Sequence, residues 1–307
     1  MSRSGAAILA SGGALLWGTM GPVADLLASQ LSSAEVAMAR SVGAVVVLAA
    51  MARSALWSRS RLVRHRRALL AGGVGLAGFQ YCYFTAVAEA GVAVSTMVAI
   101  GAAPVLTGAY SWLRRSAGLS ATWFAGTAVA VVGVVLLAAD PHPGGDLTGT
   151  LWALGAAAFF GMQALAIDAV GADSEWSTTA MLTWMFVVCV VVSAPVGGGV
   201  LITGPHLSAS ASALLVYLGV ATAGLAYWLF ARGVAALGAP AAVTISLLEP
   251  VAAAAIAAIA LGERLGAAQW CGMALVSVSV LVAVLERPVV RTDKVRSNPR
   301  ADSRLTV

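Results

Sequence analysis

Charged residues are scarce in this chain of 307 residues, since Asp, Glu, Lys and Arg together make up 10% of it. Soluble domains carry about 25% charged residues, so the composition excludes a water-exposed globular domain. Histidine and cysteine are also rare, with three of each. The histidines all lie between apolar stretches, which excludes a histidine proton relay across a membrane. The cysteines lie far apart inside apolar stretches, so we expect buried packing residues rather than disulfides or a metal site.

Hydrophobic residues, in contrast, make up 60% of the chain and form continuous runs of about 20 residues, the length of a bilayer-spanning helix. The strands of a transmembrane barrel would instead alternate in polarity over about ten residues. The sequence therefore predicts an all-α integral membrane protein with ten transmembrane helices. The predicted spans are 6–28, 34–52, 68–88, 91–113, 119–139, 147–169, 178–200, 211–233, 240–262 and 267–285.

The formal net charge of +5 does not indicate a nucleic-acid partner, because Lys and Arg lie between the apolar runs rather than on one basic face. If the N-terminus is cytoplasmic, sixteen Lys and Arg residues flank the inner ends of the spans, and only Arg264 flanks an outer end. Cytoplasmic loops carry this excess of basic residues. We therefore expect a multi-pass protein of the plasma membrane with both termini cytoplasmic, and residues 287–307 as a disordered cytoplasmic tail.

The chain contains an internal repeat. A shift of 146 residues places Phe84 on Phe230 and Pro104 on Pro250, and it also aligns the boundaries of the spans. The two halves, 6–139 and 147–286, each hold five spans. Because five is odd, the second half enters the membrane from the opposite side, as an inverted repeat. Inverted repeats are typical of transporters that expose one central site alternately to each side of the membrane.

The matched prolines, Pro104 and Pro250, lie near the middle of the fourth and ninth spans. A proline inside a helix removes one backbone hydrogen bond and kinks the helix. Interrupted helices at corresponding positions of two repeats indicate the binding site of a transporter. We predict that both prolines act as hinges, and static packing kinks are the alternative.

Several short motifs resemble the EamA-type members of the drug/metabolite transporter superfamily. They are Leu16-Trp17-Gly18, Arg40, Tyr81-Cys82-Tyr83-Phe84-Thr85-Ala86, Ala103-Pro104-Val105, Leu248-Glu249-Pro250-Val251 and Leu261-Gly262-Glu263-Arg264-Leu265. The first half departs from the family pattern where Arg115-Ser116-Ala117-Gly118 replaces a Gly-Glu-Arg motif. The resemblance implies a cavity between the two halves and the movement of small metabolites, often outward, without ATP.

Two ionisable residues lie well inside predicted spans, Arg40 in the second and Glu249 in the ninth. Such residues are costly in a membrane and suggest a functional site. Glu249 has three interpretations: it binds a cationic or amino group of the substrate, exchanges a proton, or pairs with Arg40 or a backbone donor. Arg40 suits a bidentate contact with a carboxylate or hydrogen bonds to neighbouring carbonyls.

Aromatic and amide side chains at mid-depth complete the predicted substrate-binding site. They are Trp17, Gln80, Tyr83, Gln163 and Tyr227. An amide facing lipid would be left without hydrogen-bond partners, so the two glutamines favour an interior site. We predict no catalytic residue, no metal site and no cofactor.

These observations favour a secondary transporter that exports a small metabolite, an amino acid or a related compound. The alternatives are a membrane scaffold or sensor subunit and, less favoured, an integral membrane enzyme acting on lipid intermediates. The expected partners are a small-molecule substrate and membrane lipids. Proton coupling and a homodimer stay open.

The arginine asymmetry makes a prediction about topology. A cysteine introduced at Gly144 should react with a membrane-impermeant thiol reagent added outside cells, because residues 140–146 follow the fifth span on the outer side. A cysteine at Ser60 lies in the arginine-rich connection and should be protected. Labelling at Ser60 and not at Gly144 would reverse the assignment.

Overall fold

The computed structural model describes residues 1–27, 29–52, 56–113, 119–137, 147–171, 176–199, 207–260 and 266–285. The acidic segment 140–146, the Leu261–Leu265 motif, Arg115-Ser116-Ala117-Gly118 and the tail 287–307 lie outside these ranges. The helices are α1 (Arg3–Gly18), α2 (Met20–Asp25), α3 (Ser33–Ala52), α4 (Arg59–Leu113), α5 (Ala121–Leu137), α6 (Leu147–Gly171), α7 (Thr178–Gly197), α8 (Ala209–Tyr217), a π segment (Leu218–Leu225), α9 (Ala226–Leu237), α10 (Ala239–Ile245), α11 (Leu248–Ala260) and α12 (Ala267–Leu285).

The described residues form helices without a strand, which confirms the predicted all-α membrane fold. Seven helical stretches among them are long and apolar enough to cross a bilayer, and two further apolar helices, Val98–Leu113 and Ala121–Leu136, are shorter. The number of ten spans stays a prediction, because α4 runs through both the third and the fourth predicted span.

The chain reverses direction within α4, although its 55 residues are all helical. The Tyr83 hydroxyl lies 2.7 Å from the Thr96 hydroxyl, whereas 13 residues of straight helix would separate them by about 20 Å. Gly75 and Thr107 also both pack on the middle of α6, against Gln163 and Gly161. The two arms of α4 therefore lie side by side, as two separate spans would.

The predicted ninth span, 240–262, is interrupted. It divides into α10 and α11, with Ser246 and Leu247 in a turn between them. Pro250 lies in the first turn of α11 and not in the middle of a helix as predicted. A proline lacks the amide hydrogen and its ring collides with the carbonyl four residues before it, which is the carbonyl of Ser246. The first helix therefore ends at Ile245, and the next begins at Leu248 with Pro250 in its first turn.

Two other spans are irregular. The first span is divided at Thr19, between α1 and α2, and the Thr19 hydroxyl donates to the Leu16 carbonyl at 2.7 Å. The eighth span contains the π segment between α8 and α9. A single residue, Gly238, joins α9 to α10 with a φ of 83°, a conformation that glycine adopts without steric cost.

The internal repeat relates two contacts between the halves of the chain to each other. Gly18 of α1 packs on Ala253 of α11, and Gly161 of α6 packs on Thr107 of α4. These pairs are equivalent, since a shift of 143 relates the glycines and a shift of 146 relates their partners. Such an exchange is what a pseudo-two-fold axis between the halves requires.

The three cysteines are free thiols. Cys82 and Cys189 are buried as expected, but Cys271 is exposed, so the prediction of a buried residue is wrong there. Cys271 lies in the first part of α12. In a membrane this surface faces apolar lipid. Burial in the protein core then provides little hydrophobic driving force, so an apolar side chain can also lie on the surface.

Candidate functional site

Arg40 occupies the centre of the site. It projects from the middle of α3 and is only 4% exposed. Its guanidinium donates from Nε to the Thr222 hydroxyl at 3.1 Å, from Nη1 to Gln80 Oε1 at 3.2 Å and from Nη2 to the Thr222 carbonyl at 3.3 Å. The guanidinium carbon also lies 5.9 Å from the centre of the Tyr227 ring. A buried charge is tolerated when it is hydrogen-bonded in this way.

The π segment explains how the Thr222 carbonyl is available to Arg40. In an α-helix this carbonyl would accept the amide of Ala226, but that amide donates to Ala221 instead. The Thr222 carbonyl accepts Trp17 Nε1 at 2.9 Å as well as Arg40 Nη2. The widened turn thus offers one backbone acceptor to two side chains from α1 and α3. Such π-bulges are frequent at functional sites.

Gln80 extends this network into α4. Its Oε1 accepts from Arg40, and its Nε2 donates to the Leu76 carbonyl at 3.3 Å, with the Ser41 hydroxyl and the Cys189 thiol both at 3.4 Å. Both ends of the buried amide are therefore occupied. Gln80 links α3, α4 and α7 around the charge of Arg40.

An aromatic cluster lies beside the network. The Trp17 ring centre lies 5.9 Å from that of Phe160, 4.9 Å from that of Tyr227 and 5.1 Å from that of Phe230. The tilted and edge-on geometries are the favourable ones for aromatic pairs. These rings come from α1, α6 and α9, so the cluster joins the two halves of the chain.

Gln163 lies on the other side of Tyr227 and is completely buried. Its Nε2 lies 3.5 Å from the Tyr227 hydroxyl, whereas its Oε1 has no hydrogen-bond partner. In the reverse orientation of the amide, one of the two atoms would still lack a partner. A buried unpaired polar atom costs about 1–3 kcal/mol. The protein therefore leaves the hydrogen-bonding capacity of the Gln163 amide partly unused.

Tyr83 lies at the edge of the site, half-buried on the first arm of α4. Its ring stacks on Phe79 with centres 5.7 Å apart, and Phe79 in turn contacts Phe160 at 5.5 Å. Its hydroxyl is paired with Thr96 across the reversal of α4. Tyr83 therefore connects to the aromatic cluster through Phe79.

Glu249 lies in the first turn of α11, directly after the interruption of the ninth span. Its backbone carbonyl packs against Gly18, next to Trp17. Within the described part of the chain, no hydrogen bond or ion pair involves its carboxylate. The side chain as a whole is partly exposed.

Six of the seven predicted site residues thus form one assembly. Hydrogen bonds or ring contacts join Arg40, Trp17, Gln80, Gln163 and Tyr227, and Tyr83 is joined through Phe79. Glu249 is placed near this assembly by its backbone carbonyl, which packs against Gly18 beside Trp17. The prediction missed Thr222, the acceptor that Arg40 and Trp17 share. Its signal is a lone polar residue in the small-residue run 219–224.

A groove of about 720 Å³ reaches the same network from the side. It runs between α3, α4, α6 and α7, and Gln80 lies in its lining. Tyr81 and Val196, which also line the groove, are 52% and 60% exposed. The groove therefore leads from the outer surface of the bundle to the amide that holds Arg40.

The shared acceptor makes a prediction about stability. Thr222→Val keeps the shape of the side chain but leaves Arg40 Nε without its hydroxyl partner, which should lower the free energy of unfolding by about 1–3 kcal/mol. Thr244→Val is the matched control, because the buried Thr244 hydroxyl donates only to the Pro240 carbonyl of its own helix. Thermal unfolding of the purified variants measures both. An equal loss in the two variants would contradict a special role for Thr222.

Comparison with known proteins gives consistent results. The model of the EamA-like transporter family matches residues 4–139 and 147–285. The uncharacterized transporter YwfM of Bacillus subtilis (strain 168) is 31% identical over 279 residues, which cover 88% of this chain and 90% of that protein. A crystal structure of a protein with 21% identity superposes with a TM-score of 0.73 over 92% of this chain and 97% of that chain, and shows the fold alone. This membrane-spanning chain belongs to the EamA-like transporter family.

Proposed function

We propose that this protein is a secondary transporter that exports a small metabolite, an amino acid or a related organic compound, by alternating access. It acts in the plasma membrane with both termini in the cytoplasm, and it is not an enzyme. The observation that carries the proposal is the Glu249 carboxylate, which has no partner among the described residues and lies at the interruption between α10 and α11. This position lies at the contact between the two halves of the chain.

Helix interruptions support a transport site for a physical reason. Backbone groups inside a membrane need hydrogen-bond partners, so irregular backbone is tolerated only where protein or a cavity satisfies it. Here the Ser246 hydroxyl donates to the Val243 carbonyl at 2.7 Å, and the Glu249 amide donates to the Ser246 carbonyl at 2.9 Å. The turn is thereby stabilised beside the charged residue. Transporters place their substrate sites at such discontinuous helices.

Glu249 is the residue through which a substrate, or a proton exchanged for it, engages the protein. Its carboxylate forms no hydrogen bond or ion pair among the described residues, and its side chain is partly exposed. Arg40, by contrast, is held by three hydrogen bonds. The charged group that is ready for a ligand is therefore Glu249.

Glu249→Gln should lower transport about ten- to a hundredfold while expression and folding stay normal. The substitution preserves the shape and removes the charge, and a hydrogen bond to a charged group contributes about 1.5–3 kcal/mol. Transport is measured as uptake of a panel of labelled metabolites into inverted membrane vesicles, with and without a proton gradient.

Glu89→Gln is the matched control, since Glu89 is exposed on α4 and its substitution should leave uptake unchanged. Wild-type uptake with an unaltered pH profile in Glu249→Gln would contradict the proposed role. A loss of yield and thermal stability before any loss of transport would make Glu249 a structural residue.

Pro104 and Pro250 are the proposed hinges of this cycle. The chain is interrupted at Ser246–Leu247, just before Pro250, whereas it stays helical through the equivalent residues 100–101 before Pro104. Two matched helices thus hold different shapes around matched prolines. An exchange of these shapes between the halves would expose the site to the opposite side.

Replacing either proline with Ala should leave the protein folded but slow its turnover several-fold, because the restored amide favours a continuous helix. Pro195→Ala is the control, since Pro195 lies inside α7 and is exposed. Turnover is measured by vesicle uptake normalised to folded protein. Unchanged turnover in both single variants and in the double variant would show that the prolines are packing features.

A further inference from the structure

We propose that the groove between α3, α4, α6 and α7 is a binding site for a phospholipid, with one acyl chain of the lipid lying along the groove. This inference goes beyond the proposed transport function and does not depend on which metabolite is moved. It comes from the walls of the groove, its position in the membrane and the chemistry of its lining.

Two closely packed pairs of helices form the walls of the groove. Gly197 joins α7 to α3, because a Cβ on this glycine would lie 2.5 Å from the Ala34 carbonyl oxygen. Gly149 joins α6 to α4 in the same way, since a Cβ there would lie 2.5 Å from the Ala90 Cβ. Close approach of backbones at glycine is the usual way in which membrane helices pack. Each wall of the groove is therefore a tight helix pair.

The groove begins where the contact between α4 and α7 ends. Gly73 of α4 packs directly on Val188 of α7. On α4 the lining starts at the next residue, Val74, and on α7 it starts one turn later, at Val192. The lining of α4 continues to Ala88, a distance of about 21 Å along a helix. Because one leaflet contributes about 15 Å of the hydrocarbon core, the groove can hold a chain over the full depth of a leaflet.

The opening of the groove faces the hydrocarbon core of the membrane. Val74 and Tyr81 are exposed on one rim, and Val192 and Val196 are exposed on the other. The core of a bilayer contains lipid chains and no water, and a water molecule would need two to four polar partners to occupy a cavity. An unfilled groove would forfeit the dispersion contacts of its walls. A hydrocarbon chain is therefore the occupant that this surface meets.

The lining itself suits an alkyl chain. Its buried members include the small apolar side chains of Ala37 and Ala77. Gln80 is paired with Arg40 and other groups of the protein, and the Thr85 hydroxyl donates to a carbonyl of its own helix at 2.9 Å. A chain can lie against these paired groups without depriving a polar atom of its partner.

The end of the groove near Ser32 and Ala88 determines which head group fits. The proposed orientation places this end at the outer surface of the membrane, where α3 begins. The lining stretches 32–37, 74–88, 152–159 and 192–197 contain no Lys or Arg. Glu35 lies in the first turn of α3, and the exposed Glu89 directly follows Ala88. These carboxylates repel an anionic head group and attract an ammonium group, so phosphatidylethanolamine fits better than phosphatidylglycerol.

Native mass spectrometry of the delipidated protein in detergent tests the site. The probes are phosphatidylethanolamine and phosphatidylglycerol with identical palmitoyl and oleoyl chains. Ser193→Phe places a ring in the groove from its α7 wall. Val278→Phe is the matched control, because Val278 is exposed on α12 and does not line the groove.

The wild type and Val278→Phe should each bind one phosphatidylethanolamine more tightly than phosphatidylglycerol. Ser193→Phe should bind it at least about tenfold more weakly, since excluding two methylenes from apolar contact has an effect of about that size. The bound lipid should also raise the unfolding temperature of the wild type and the control. Val192→Trp obstructs the groove from its exposed rim and replaces Ser193→Phe if that variant does not fold.

Photocrosslinking locates the chain. A phosphatidylethanolamine with a diazirine at the end of one acyl chain should crosslink to the inner part of the groove, between Val74 and Gln80. With the diazirine next to the glycerol group, the crosslinks should lie between Thr85 and Ala88. Both sets of crosslinks should be lost in Ser193→Phe and kept in Val278→Phe.

Three results would overturn the inference. They are equal lipid binding by Ser193→Phe and Val278→Phe, tighter binding of phosphatidylglycerol by the wild type, and crosslinks confined to surfaces outside the groove. None of these measurements involves transport, so failure of the lipid site would leave the proposed function standing. Absence of transport would likewise leave the lipid site standing.

Discussion

The burial of one positive charge governs the architecture around the site. Arg40 is 4% exposed in a span that must cross an apolar bilayer, and a charge there is stable only if the protein supplies acceptors. No carboxylate forms an ion pair with it among the described residues. Its acceptors are instead a hydroxyl, an amide and a backbone carbonyl. The π segment frees this carbonyl from the regular helix and thereby supplies one of the acceptors that stabilise the buried charge.

Small residues allow the close approach between α3 and the π segment that these hydrogen bonds require. Gly43, one turn after Arg40 on α3, packs directly against Gly219 in the π segment, and a Cβ on Gly43 would come within 2.9 Å of the Gly219 Cα. Close approach of backbones at glycine is the usual way in which membrane helices pack. It places the α3 backbone near enough for the Arg40 fork to reach both atoms of Thr222.

Two charged residues with different surroundings follow from this arrangement. Arg40 donates hydrogen bonds to Thr222 and Gln80, whereas Glu249 lies at a helix interruption and forms no hydrogen bond or ion pair among the described residues. The two charged residues are therefore separate, and the hydrogen bonds of Arg40 do not involve Glu249. A direct ion pair between them would have occupied both. The match to the EamA-like family covers both halves of the chain, and therefore all residues of this assembly.

Long apolar runs and scarce charge were enough to predict an all-α membrane protein, and short motifs such as Leu248-Glu249-Pro250 were enough to identify the family. The same sequence patterns selected the residues of the central assembly, because polar groups in apolar runs must face the protein interior. They did not reveal Thr222, the π segment or the break at Ser246–Leu247. Those features depend on which carbonyl a distant arginine reaches and on how a proline is accommodated by neighbouring helices. Hydrophobicity determines that a helix lies in the membrane, but only tertiary packing decides where its backbone leaves the regular helical geometry.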